Sequence, residues 1–425
     1  MITTLHEHLP FLRVLRQRPF ALLWFGQTIS MVGDGVFRVV LAWSVFRTTG
    51  SALAMGTVFL ASLLPGIAFD LFGGVAADRF PRRLILLWSD TSRGLVVLLI
   101  AVCSLLHLLQ FWHLLLLSVL FGVADSFFQP AFYAFIPQLI DTELLMPANA
   151  SLQISDQLCR MLGPVLGVAL LAAAHGEALA YGTDALTFFL SATFLLVLRP
   201  APAPAPVQEP GGASEEAAPG LRGFLRDVRQ GLVYVARSQW LWITILIAAL
   251  SNVSFSAPYV AVLPRLVHDR YAGGPALYGT FLATDAVGFL IASLALSLLR
   301  MRRRGVLAYS VLLLSGLGLL VLGLPLPASS RVVIALGACL CAGFSIGVFS
   351  VVEVALMQEL VPGDVQGRVN SLNRLGSYVL LPFGLLLVGW LADLVGPGWV
   401  FVVGGLISLL LAAAGLSVRS IRDLA

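Results

Sequence analysis

The chain contains no lysine; all 26 of its basic residues are arginine. A Walker-type phosphate loop uses its lysine to reach the outer phosphates, so this chain carries no such loop. Charge of either sign is scarce. Charged residues make up 11% of the 425, and 59% are hydrophobic, whereas soluble domains carry about 25% charged residues. That balance excludes an ordinary soluble protein and leaves the bilayer as solvent. Cysteine is rare too. Cys103, Cys159, Cys339 and Cys341 stand in apolar stretches without metal-ligand spacing and read as small packing residues. The six histidines are scattered, and His6 and His8 belong to a polar N-terminal tail. No cofactor and no metal are expected. The opening "MITTLHEHLPFLRVLRQRPF" is mixed and leads into a long apolar run, unlike a cleavable signal.

A membrane-spanning helix needs about 20 apolar residues. On that scale the sequence predicts twelve spans: 20–46, 51–72, 84–106, 112–135, 150–174, 179–198, 240–263, 276–299, 305–325, 332–357, 370–394 and 398–418. The arginines test this map. With the N-terminus cytoplasmic, the inner loops and tails hold most of them, including Arg13, Arg16, Arg18, Arg79, Arg82, Arg83, Arg222, Arg226, Arg229, Arg300, Arg302, Arg303, Arg304 and Arg422. The outer side holds only Arg47, Arg265, Arg270 and Arg331. This is the positive-inside pattern, and it places both termini in the cytoplasm. It also accounts for the formal charge of +4 without a nucleic-acid partner.

The expected fold class is an all-α integral membrane protein with twelve helices in two six-helix, pseudo-symmetric bundles. Residues 1–199 form the first bundle, 200–239 a cytoplasmic linker and 240–425 the second bundle. Within the linker, "PAPAPAPVQEPGGASEEAAPG" reads as extended, and "LRGFLRDVRQGLVYVARS" as an amphipathic helix on the inner membrane surface. The halves repeat at an offset near 221: Arg79, Arg82 and Arg83 map onto Arg300, Arg303 and Arg304. Repeated halves with a site between them are a transporter architecture.

Polar residues inside the spans are costly and mark functional faces. The first span carries Gln27, Ser30, Asp34 and Arg38 as one helical stripe; the fourth carries Gly122, Asp125, Gln129 and Tyr133. The seventh carries Asn252, Ser256 and Tyr259, and the tenth Ser350, Glu353 and Met357. These four faces could together line a cavity. Three acids have an arginine one turn away: Asp34 with Arg38, Asp90 with Arg93, and Asp156 with Arg160. Mutual neutralisation is the favoured reading of Asp90 with Arg93, near the inner end of the third span; for Asp34 with Arg38, deep on the most polar stripe, function stands level with it. Asp125 has no local partner, which suits a proton site or a cross-helix partner such as Arg160. Asp70, Asp184 and Asp285 are also present; the first two lie nearer span ends, within reach of water.

In the fifth span, "GPVLG" joins Gly163, Pro164 and Gly167, where small residues allow close helix approach. "GFSIG" at 343–347 fits the G-x-S-x-G nucleophile pattern, but that motif needs a strand-turn-helix setting, and here it lies within an apolar helix. No other catalytic constellation is present, so the sequence does not read as an enzyme.

At this point the chain resembles the major facilitator superfamily. Gly74, Asp78, Arg79, Arg82 and Arg83 resemble the superfamily's signature between helices 2 and 3, G-x-x-x-D-R-x-x-R-R. Gly163, Pro164 and Gly167 resemble its antiporter signature in helix 5. "QTISMVGDGVF", "SDTSRG", "QPAFYAFIPQLI", "YGTF" and "LVPGDVQGRVNSL" are similar to the drug-proton antiporter branch that includes macrolide and enterobactin exporters. The resemblance implies two bundles rocking around a central site lined by helices 1, 4, 7 and 10. It implies a monomeric, multi-pass protein of a bacterial inner membrane that exports a small amphipathic molecule in exchange for protons; an uptake symporter or lipid flippase of the same fold, and a non-transporting membrane sensor, are the alternatives. Asp34, Asp125 and Arg38 are then the proton-coupling candidates. Gln27, Ser30, Gln129, Tyr133, Asn252, Ser256, Tyr259 and Glu353 are the substrate-cavity candidates, and the 74–83 loop is a gate. The second half departs from the signature, with Leu299 where Asp78 would fall.

Overall fold

The computed structural model describes residues 10–173, 175–198, 221–298 and 303–424; some side chains inside helices, among them 70–78, 221–228 and 363–364, lie outside that set. The histidine tail, most of the linker and the side chains of Asp70, Gly74 and Asp78 therefore fall outside the described residues.

The described residues are almost entirely helical. The long helices are α1 (Arg18–Thr49), α2 (Ala52–Arg79), α3 (Arg82–Leu105), α4 (Phe111–Phe135), α5 (Leu145–Leu171) and α6 (Gly176–Val197). They continue as α7 (Gln239–Ala261), α8 (Pro275–Leu298), α9 (Arg304–Gly323), α10 (Arg331–Leu360), α11 (Gly363–Tyr378, resumed as Leu381–Val395) and α12 (Pro397–Ser417). Eleven of these, among the described residues, are long and apolar enough to cross a bilayer. The twelfth is α2, whose described apolar stretch is Ala52–Gly66. Several helices outrun the predicted spans: α10 extends to Leu360, past the apolar stretch ending at 357.

Local chemistry sets the breaks. Gly50 adopts a left-handed conformation (φ 66°) and its N–H caps the Phe46 carbonyl at 2.7 Å, ending α1. Between α3 and α4 the chain turns at His107, also left-handed, and Gln110 and His113 form a reciprocal cap at the start of α4. In α7 the helix widens into a π turn at Asn252–Ser256, a feature frequent at functional sites. The linker segment Leu221–Arg237 is helical, as its amphipathic pattern predicts.

Contacts divide the chain into two units: residues 1–204 with 273–283, and residues 205–272 with 284–425. In the first unit α3 packs on α4 and α6, and α1 packs on α5 and α6. The second unit repeats the scheme: α9 packs on α10 and α12, and α7 on α11. Glycine sets the α1–α5 contact. A Cβ built on Gly163 would lie 2.5 Å from the Cα of Gly35, so the two backbones touch. Gly167 continues the seam against Val36. In the second unit Gly343, from the serine-like motif, packs against the backbone of Asp285, so "GFSIG" serves helix packing.

The first turn of α3 binds helix ends. Arg82 donates to the Ala134 carbonyl of α4 at 2.6 Å, and Arg83 donates to the carbonyls of Leu195 and Leu196 of α6 at 2.7 and 2.6 Å. Unsatisfied carbonyls at a helix C-terminus favour a cation. In the second unit Arg304, the counterpart of Arg83, instead pairs with Glu359 at 2.6 Å.

Candidate functional site

The polar face of α3 is Ser89, Asp90, Arg93 and Gly94, all buried. Arg93 is among the largest fully buried side chains in the chain. A guanidinium buried alone would cost several kcal/mol, and here it is enclosed by partners. It donates to Asp90 at 2.6 Å and to Asp125 of α4 at 3.1 Å. Its flat faces lie on two rings, Phe128 at 4.3 Å and Phe188 at 4.6 Å, which suits the attraction of a cation for aromatic faces. Only its Nε lacks a partner. The second oxygen of Asp90 accepts from Ser191 of α6 at 2.7 Å, and Ser89 ties the helix to the Ala124 carbonyl of α4 at 2.7 Å.

Two further acids border this cluster. Asp34 is half-buried on α1 and directly follows Gly33, which abuts Asp184. Asp184 of α6 is fully buried, contrary to its expected reach to water, because α1 covers it at Gly33. Two carboxyls thus engage one buried guanidinium. The expected Asp34–Arg38 ion pair is not formed; Arg38 is exposed. Asp125 meets Arg93 rather than Arg160, because Arg160 pairs with Asp156 at 2.8 Å on an exposed face of α5.

The remaining stripe residues divide. Gln129 and Tyr133 are exposed on α4, in line with Asp125, which is 45% exposed. Gln27 and Ser30 are buried in the packing of α1 rather than open. Gly122 is a packing residue as well: a Cβ there would abut the Ser62 carbonyl of α2 at 2.2 Å.

In the second unit, Asn252 of the π turn donates to the Ser377 carbonyl of α11 at 2.9 Å and accepts from Ser256 at 2.9 Å. Glu353 of α10 accepts from Asn373 of α11 at 3.0 Å. Tyr259 does not present its hydroxyl to open space. It is buried, stacked on Phe255 at 4.9 Å and set against Phe401, with its hydroxyl directed at Cys339.

Ser191, Thr187, Phe128 and Phe188 complete the cluster without having been expected from the sequence. Their signal is a small-polar and aromatic face on α6, opposite the Asp90–Arg93 turn, joined by Phe128 from α4.

A family model described as transmembrane secretion effector matches residues 11–423. The chain belongs to this family, within the major facilitator superfamily. Among its relatives, macrolide efflux protein A of Streptococcus pyogenes is 23% identical over 95% of this chain and 97% of that protein. The multidrug efflux pump Tap of Mycolicibacterium fortuitum is 27% identical over 96% and 98%. A crystal structure of a bacterial homologue of the iron transporter ferroportin in an inward-facing state aligns with a TM-score of 0.71 at 18% identity, covering 94% of this chain and 99% of that one. That likeness concerns the fold. The chain is a multi-pass membrane transporter with the major facilitator fold.

Proposed function

We propose that the protein is a proton-coupled exporter of a small amphipathic compound, of drug, macrolide or siderophore type, working by rocking alternating access in a bacterial inner membrane. The export direction is supported by the relatives named as macrolide and multidrug efflux proteins. The arginine distribution supports a cytoplasmic position for both termini.

The observation that carries the reading is the excess of carboxyls over cations around Arg93. Asp90 and Asp125 already engage the guanidinium, and on the neighbouring face Asp184 of α6 lies against Gly33, next to Asp34 in α1. A charge left unpaired in so apolar a site neutralises rather than bear the burial cost, so the cluster is suited to hold and release protons. In the cycle, a compound entering from the inner side displaces a proton from Asp34 or Asp125. Re-protonation from the outer side then releases the compound. One proton moving down 100 mV supplies about 2.3 kcal/mol, a tens-fold accumulation by the rule of about 1.4 kcal/mol per factor of ten. Asp78 serves as the gate acid of the α2–α3 loop, while Arg82 and Arg83 hold that loop to the ends of α4 and α6.

The test is a panel of macrolides, cationic dyes and catecholate siderophores offered to proteoliposomes of known orientation under an imposed pH gradient. Movement of a compound against the proton flow supports the proposal. Co-movement with protons would make the protein an uptake symporter, and lipid scrambling alone would make it a flippase; either result overturns export.

A further inference from the structure

Helix α6 carries a second polar feature that the Arg93 cluster does not use fully. Asp184, Thr187 and Ser191 stand at spacings of three and four, on one face, and all three are buried. One end of this stripe is anchored, since Ser191 donates to Asp90. The other end is not. Thr187 commits its single hydroxyl hydrogen to the Asp184 main-chain carbonyl at 2.7 Å, which leaves only a long 3.4 Å approach to Oδ1. Oδ2 of Asp184 has no hydrogen-bond partner. A fully buried carboxylate without a well-placed donor on either oxygen is far costlier than a neutral acid in the same place.

The opposing helix is shaped around this carboxyl. A Cβ on Gly33 of α1 would lie 2.2 Å from Asp184 Oδ1 and 2.2 Å from Thr187 Oγ1. Any larger residue would drive into the acid, so glycine is what lets the carboxyl lie against the α1 backbone next to Asp34. The charged groups near enough to act on Asp184 are Asp34 of α1, then Arg93 of α3 and, more weakly, the exposed Arg38 of α1. Asp90 lies beyond, at the anchored end of the stripe. On its own helix, Glu177 is engaged by Arg47 at 2.7 Å. From α5, Cys159 turns to the Thr28 carbonyl and Asp156 is held by Arg160.

We propose that Asp184 is the buried proton-storage site of the transport cycle, exchanging its proton with Asp34 across Gly33, with Thr187 and Ser191 leading to the Asp90–Arg93 pair. The proposal rests on the proton-coupled reading above and adds to it a residue and a route on α6. Asp34, half-buried, is the group that meets water; Asp184, sealed behind it, holds the proton while Asp34 changes partners.

The test is infrared difference spectroscopy on the full-length protein in nanodiscs, with pH as the only variable. The wild type should show a carboxylic C=O band, at the position of an acid with weak hydrogen bonds, that appears as pH falls. Asp184→Asn should lose that band. Thr187→Val, which keeps the carboxyl and changes only its neighbour, should shift it, and this variant decides the matter should Asp184→Asn fail to fold. A pH-induced spectrum unchanged in both variants overturns the assignment, as does a band of Asp184 that never titrates. The two readings fail separately. Wild-type proteoliposomes that ignore an imposed pH gradient sink proton coupling itself. A proton-coupled wild type with an unaltered spectrum in the variants sinks only the role of Asp184.

Discussion

Arg93 and Asp90 form a 2.6 Å ion pair within one turn of α3, and both side chains are buried. The pair is held from outside as well, by Asp125 on the guanidinium and Ser191 on the carboxylate. Removing one partner leaves the other buried and uncompensated, which costs about 3–5 kcal/mol. Arg93→Met should therefore lower the thermal unfolding midpoint in detergent sharply. The double variant Asp90→Asn, Arg93→Met should recover most of the loss, because it removes both fully buried charges and leaves only the part-exposed Asp125 without its partner. Thermal scans of the three proteins side by side check this.

The α1–α5 seam yields a second expectation. Gly163 and Gly35 leave no room for a methyl group, whereas Gly182 of α6 has nothing within 4 Å of the equivalent position. Overpacking costs about 1–3 kcal/mol. Gly163→Ala should destabilise the protein by that order, and Gly182→Ala should not. Comparing their unfolding midpoints with the wild type measures both.

The proposed gate at residues 74–83 would combine two roles in one motif. Arg83 binds the last carbonyls of α6, so Arg83→Ala should reduce membrane yield and transport together. Asp78→Asn should instead impair transport far more than yield. Immunoblots of membrane fractions, paired with efflux rates from the same cells, distinguish the two patterns. Equal losses in Asp78→Asn would reduce the loop to a topology anchor.

The π turn of α7 gives a graded expectation. Asn252 bridges to the α11 backbone and also accepts from Ser256. Leaving a buried polar group without its partner costs about 1–3 kcal/mol. Asn252→Ala should destabilise more than Ser256→Ala, since the asparagine joins two helices and the serine bonds only within its own. Unfolding midpoints of the two variants rank them.

How much of the molecule is legible in its sequence depends on the range of each interaction. The twelve helices follow from apolar runs of bilayer length, because that signal is local along the chain. Asp90 with Arg93 and Asp156 with Arg160 are legible for the same reason: one helical turn fixes each pair. The Gly163–Pro164–Gly167 approach is legible because small residues four apart open a groove that a neighbouring backbone fills. The Arg93–Asp125 contact is not, since it joins residues 32 apart and depends on how α3 and α4 are rotated. Burial misleads in both directions. Asp184 lies near a span end by sequence, yet α1 seals it; Gln27, Ser30 and Tyr259 lie on polar stripes, yet they turn into packed interiors. A stripe shows that a face is polar without showing whether it meets water or another helix.

In the proposed cycle, acids of the first unit couple proton movement to export, with Asp34 at the solvent side. Its most direct test is Asp34→Asn in proteoliposomes, with efflux of a transported compound followed under an imposed pH gradient and, separately, as exchange at uniform pH. pH-driven transport should fall by at least about tenfold, the equivalent of about 1.4 kcal/mol, while exchange without a gradient persists. Full pH-driven transport by Asp34→Asn would contradict it.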